Sequence, residues 1–84
     1  MIRIRYTFNN ADGHVSWNDF LSSKETPSEV LAEFAKIGPK FMLQNLVDLR
    51  LFALAPAHQY NGGEETMIQG VEQEIAEFII AQKG

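Results

Sequence analysis

The stretch of sequence that decides the fold is MIRIRYTFNNADGHVSW, residues 1–17. Apolar and polar side chains alternate along its first half, which predicts a β-strand with two distinct faces. One face would carry the apolar residues Ile2, Ile4, Tyr6 and Phe8. The other would carry Arg3, Arg5 and Thr7, so the strand is expected to cover a core with one side and present cations on the other.

An Asp-Gly turn at residues 12–13 is expected to reverse the chain and start a second strand. A two-residue loop would place Phe8 opposite Trp17, whereas a four-residue loop would place Tyr6 opposite Trp17. Both pairings keep Trp17 on the apolar face, among the aromatic residues of the first strand. The alternation fails at Asp19, so the second strand is predicted to end near the preceding residue.

The next element begins with three signals for a helix start. Thr26 can cap the helix, Pro27 suits its first position, and Glu29 can complete a capping box. A stripe of apolar residues follows at helical spacing, namely Val30, Leu31, Phe34 and Ile37. Because Gly-Pro follows at residues 38–39, the first helix is predicted to span Pro27–Ile37.

Residues 40–54 fit both a helical and a strand pattern. A two-stranded hairpin alone is a marginal sheet, which favours a third strand here. We therefore expect a short helical turn at Lys40–Gln44 and a strand at Leu46–Leu54.

The last third of the chain reads as a loop at residues 55–63 and a second helix from residue 64 to the C-terminus. The helix is predicted from an apolar stripe at Ile68, Val71, Ile75, Phe78 and Ile79. Gly70 either interrupts this helix or marks a close packing point.

Together these elements predict a single small α+β domain over residues 1–84, in the order strand, strand, helix, strand, helix. We expect a three-stranded, mostly antiparallel sheet with strand order 2-1-3 and both helices packed on one face. The other face of the sheet is then left uncovered, which makes it the candidate for binding a partner.

The uncovered face would gather polar and cationic side chains from all three strands. Its predicted members are Arg3, Arg5, Thr7, His14, Ser16, Asn18, Asp48, Arg50 and Phe52. Such a platform suits an acidic patch on another protein. The first hypothesis is therefore a non-enzymatic protein-binding or accessory module, inhibitor-like or adaptor-like, that uses this face or an exposed apolar edge.

Two alternatives remain open. A nucleic acid could bind through Arg3, Arg5 and Arg50, but a net charge of −4 and the expected burial of the aromatic residues of the first two strands argue against it. A structural homodimer is the second alternative, because a small sheet with two helices has difficulty burying every apolar residue. The surplus residues are Leu43, Phe52, Leu54, Ile79 and Ile80.

Several function classes find little support in the composition. The chain has no cysteine, which excludes disulfides, thiolate metal sites and a thiol nucleophile and suits the cytoplasm. A metal or enzyme site around His58, Tyr60 and Glu64 is the weakest reading, so we expect no catalytic residue, no cofactor and no metal. No apolar run reaches the length of about 20 residues that a membrane helix needs, and no membrane partner is expected.

Overall fold

The computed structural model describes residues 1–54 and 65–83. Its strands are β1 (Ile2–Asn9), β2 (Val15–Ser22), β3 (Leu46–Leu54) and β4 (Glu65–Met67). Its helices are α1 (Pro27–Ile37), α2 (Lys40–Gln44) and α3 (Glu72–Lys83). None of the described helices combines the length and the apolar character needed to cross a bilayer.

The described strands form one antiparallel sheet in the order β2-β1-β3-β4, against which the helices pack in an α+β arrangement. The expectation of three strands is wrong, because Glu65–Met67 adds a fourth strand along the end of β3. The prediction that the last helix begins at residue 64 is also wrong, because Glu65–Met67 forms a strand. Gly70 has a φ of 78°, a left-handed conformation that leaves the preceding strand and lets α3 begin at Glu72.

The core lies between the sheet and the helices. Its buried side chains are Ile2, Ile4, Tyr6, Phe8, Val30, Leu31, Phe34, Leu43, Leu46, Leu49 and Leu51. The stripe predicted for the last helix packs against this cluster, although α3 itself has no fully buried residue. The bounds predicted for α1, α2 and β3 are confirmed, and the Thr26 hydroxyl accepts the Glu29 N–H at 3.4 Å as a cap. Ile37 departs from its predicted stripe and is exposed.

The connection between β1 and β2 differs from both expected loops. The Asn10 N–H donates to the His14 carbonyl at 2.7 Å, and the Gly13 N–H donates to the Asn10 carbonyl at 3.0 Å. Three residues, 11–13, therefore lie between Asn10 and His14, the pair that closes the hairpin. The third of them, Gly13, has a φ of 89°. This is the hairpin in which a tight turn is followed by a left-handed residue, a conformation that glycine adopts without steric cost.

An odd loop length reverses the faces of β2. Trp17 lies opposite Thr7, and Phe20 lies opposite Ile4. The prediction that Trp17 joins the core is therefore wrong, because a shift of one residue moves every side chain of a strand to the other face. Phe20 takes the inner position, with its ring centroid 5.0 Å from that of Phe34. The strand also continues past Asn18 to Ser22, since Asp19 no longer breaks its alternation.

The loop conformation yields a prediction on stability. Replacing Gly13 by alanine places a Cβ in the left-handed region and should lower the free energy of unfolding by about 1–2 kcal/mol. Asparagine tolerates that region better, so Gly13→Asn should lose clearly less. Urea unfolding at equilibrium measures both variants. An alanine variant as stable as the wild type would contradict the left-handed turn.

Candidate functional site

The face of the sheet turned away from the helices, here called the open face, is the candidate site. Cross-strand register places on it the alternate residues of each strand. Its members include Val15, Trp17, Asp19 and Leu21 of β2, Arg3, Arg5 and Thr7 of β1, Asp48, Arg50 and Phe52 of β3, and Glu65 and Met67 of β4.

The predicted site residues divide into two groups. The members from β1 and β3 do share the open face, with Arg3 opposite Phe52 and Arg5 opposite Arg50. The members expected from β2 do not, because the reversed strand turns Ser16 toward the helix side, where it accepts a hydrogen bond from the side chain of Asn10. The other misplaced members are His14, which lies in the exposed connection before β2, and Asn18, which faces the helix side.

Each arginine of the open face lies beside a carboxylate. Arg5 Nε donates to Asp19 Oδ1 at 3.1 Å, and this hydrogen bond is the main reason that the pKa of Arg5 is raised. Arg3 forms an ion pair with Glu65, which ties β1 to the first residue of β4 across β3. On β3 itself, Arg50 Nε lies 3.9 Å from a carboxylate oxygen of Asp48.

Arg5 also contacts two aromatic rings of the open face. Its guanidinium carbon lies 5.2 Å from the ring centroid of Trp17 and 5.6 Å from that of Phe52. Trp17 and Phe52 approach it from opposite sides, since β2 and β3 flank β1. A guanidinium is attracted to the face of an aromatic ring, so these contacts favour positions of Trp17 and Phe52 beside Arg5.

Large apolar side chains surround this cluster. Trp17 is 62% exposed, and Val15, Leu21 and Met67 are exposed on the same face. Sequence reasoning missed Trp17 as a site residue, although Asp19 carried the signal. The predicted register placed the Asp19 carboxylate on the apolar face. The opposite orientation of β2 places it on the open face, where it accepts a hydrogen bond from Arg5.

A second concave feature lies between β3 and α3. This cleft has a volume of about 450 Å³ and an apolar floor made by Leu49, Ile68, Val71, Ile75 and Ile79. β4 pairs with the last three residues of β3, and earlier residues of that strand, 48–50, line the cleft. Of the residues expected to be surplus, Leu43 is buried and Ile80 is exposed.

No family model, curated protein or solved structure matches the chain. Within residues 1–54 and 65–83, no acidic and histidine side chains cluster as metal ligands would. The weak candidate site at His58, Tyr60 and Glu64 lies outside these residues.

The exposed indole yields a spectroscopic prediction. Trp17 is the single tryptophan of the chain, so tryptophan emission, excited selectively over the two tyrosines, reports on the open face. We expect a long-wavelength emission maximum and strong quenching by acrylamide in the folded protein, with little further change on unfolding in urea. A short-wavelength, quencher-resistant emission that shifts on unfolding would place Trp17 in the core instead.

Proposed function

We propose that this chain is a small non-enzymatic protein-binding module that uses the open face to contact its partner. The observation that carries the proposal is the exposed Trp17 in contact with Arg5 on the open face. Tryptophan and arginine are the residue types most enriched among interface residues that dominate binding energy. A cytoplasmic location belongs to the same proposal and suits a chain without cysteine.

The charges of the open face favour a protein partner of mixed polarity. Arg3, Arg5 and Arg50 are each beside a carboxylate, so the face as a whole carries little net charge. A partner need not bring a block of opposite charge. It needs apolar groups that cover Trp17 and Leu21 along β2, and polar groups that meet the ion pairs over β1 and β3.

The arrangement also lowers the cost of binding. A free tryptophan or arginine side chain loses rotamer freedom when a partner covers it, which costs about 0.5–1.5 kcal/mol for each side chain. Arg5 already donates a hydrogen bond to Asp19 and lies beside the rings of Trp17 and Phe52, so part of this ordering is present in the unbound chain. The surface around Arg5 is therefore partly organised before a partner arrives.

A nucleic-acid partner is the second candidate, and the position of Trp17 favours it. Aromatic rings beside arginines on an open sheet can stack on bases, and Trp17 and Phe52 meet that description. If single-stranded nucleic acid binds there, it should quench Trp17 emission, and its affinity should fall steeply with salt. Removing the charges of Arg3 and Arg5 by alanine should flatten that dependence. No quenching at low salt would eliminate this candidate.

The protein-binding proposal is tested with a matched pair of variants. Trp17→Glu places a charge on the open face, whereas Phe41→Glu places one on α2, away from that face. Both residues are exposed aromatic side chains, at 62% and 50%, so neither change should unfold the domain. We expect a tagged wild-type chain and Phe41→Glu to retain the same stoichiometric partner from the native lysate, and Trp17→Glu to lose it.

Two results would count against the open face as the binding site. One is a partner retained equally by wild type and Trp17→Glu. The other is a partner lost only with Phe41→Glu, which would move the interface to the helix layer. Circular dichroism of all three proteins confirms that loss of binding does not reflect loss of fold.

A further inference from the structure

The outer edge of β2 has few of the features that usually prevent strands from pairing with other chains. It is an eight-residue edge strand, VSWNDFLS, without lysine, arginine or proline. Its one charged residue is Asp19, whose carboxylate is turned over the sheet toward Arg5. The charge therefore does little to repel an approaching strand.

The direction of the main-chain groups shows which residues an added strand would meet. The His14 carbonyl points toward Asn10. The main-chain N–H and C=O groups of every second residue of a strand point the same way, so those of Ser16 point toward β1. The residues that direct their N–H and C=O outward are therefore Val15, Trp17, Asp19 and Leu21. The hydrogen bond of the Asp19 N–H supports this assignment. That N–H donates to the side-chain oxygen of Asn18 at 2.8 Å and not to a neighbouring strand.

We propose that a second copy of this chain adds to this edge, with its β2 antiparallel to the first and a twofold axis at Asn18. This register places Val15 opposite Leu21 of the second copy, so apolar residues meet at both ends of the pairing. Trp17 lies opposite Asp19 of the second copy, next to the arginine that the carboxylate already holds. The four described strands of each copy then form one sheet of eight.

The sequence of β2 is what selects a second copy and this register. A twofold pairing centred on Asp19 would bring two carboxylates directly opposite each other, which is destabilising. A pairing centred on Trp17 would leave Leu21 opposite the turn at Gly13 and shorten the contact. Centring on Asn18 overlaps the whole strand and satisfies the outward groups of Val15, Trp17, Asp19 and Leu21.

Asn18 has a direct role at the proposed axis. In the single chain its side chain covers the Asp19 N–H, and in the pair that N–H is taken by the main chain of the second copy. The two Asn18 side chains then lie side by side on the helix side, where one amide can donate to the other. The local hydrogen bond of the Asp19 N–H is thus replaced by a main-chain hydrogen bond.

This inference goes beyond the proposed function and stands apart from it. Pairing through the edge leaves both open faces exposed on the same side of the enlarged sheet, with the two Trp17 side chains flanking the axis. It also buries additional surface for a chain of 84 residues, a size at which a single core stabilises only modestly. Failure of the pairing would leave binding through Trp17 unaffected.

Cross-linking tests the register directly, because the chain contains no cysteine and each variant then carries a single thiol. At the axis, the two Cα atoms of residue 18 would lie about 4.5 Å apart, within the range that a disulfide spans. The two copies of residue 16 would be offset by four positions, about 13 Å along the strands. We expect Asn18→Cys to oxidise rapidly to a covalent dimer in native buffer and Ser16→Cys to remain monomeric.

Sedimentation equilibrium over a range of concentrations tests the pairing without a cross-link. Val15→Pro removes an outward N–H while leaving the bonds to β1, and Val15→Thr keeps that N–H with a similar shape. By symmetry the proline costs two hydrogen bonds, so the dimer dissociation constant should rise about tenfold or more, whereas threonine should change it little. A wild-type chain that stays monomeric, or Asn18→Cys that cross-links no faster than Ser16→Cys, would overturn the proposal.

Discussion

The structure depends on the left-handed conformation of Gly13, which closes the first hairpin with an odd number of loop residues. Side chains alternate between the two faces of a strand, so this loop decides which alternate set of β2 side chains faces the core. Phe20 is turned inward against Phe34, and Trp17 is turned outward beside Arg5. A loop one residue shorter or longer would exchange these roles, leaving a core without Phe20 and an open face without its largest apolar side chain.

Arg5 gives the open face its order, but it contributes little to stability. The ion pair of Arg5 with Asp19 is exposed to solvent, which screens it, and the contacts of Arg5 with the rings of Trp17 and Phe52 are weak for the same reason. The fold is held instead by the apolar layer beneath, where the inward residues of the strands meet Phe34 and the other helix residues. Stability and surface chemistry therefore reside on opposite sides of one sheet, which lets the open face be varied without loss of the core.

The parts of the fold that followed from sequence are those where one pattern excludes the others. The capping signals at Thr26 and the strict alternation of β1 allow only one interpretation. The pattern of β3 fits a helix as well, and the strand was predicted because a two-stranded sheet is only marginally stable. β2 has apolar residues on both faces, so its pattern cannot choose between them and the loop decides. β4 has three residues, too few for any periodicity, and only the left-handed Gly70 separates it from the apolar stripe of α3. The candidate site was consequently predicted correctly on β1 and β3 and reversed on β2.

The register of the first hairpin is measured most directly by nuclear Overhauser effects between Hα atoms across β1 and β2. Thr7 and Trp17 form a pair that is not hydrogen-bonded, which brings their Cα atoms to within about 4.5 Å. The structure predicts a strong Hα–Hα effect between these two residues. A strong effect that joins Trp17 to Tyr6 or Phe8 instead would show that the loop is even-numbered, and the open face described above would not exist.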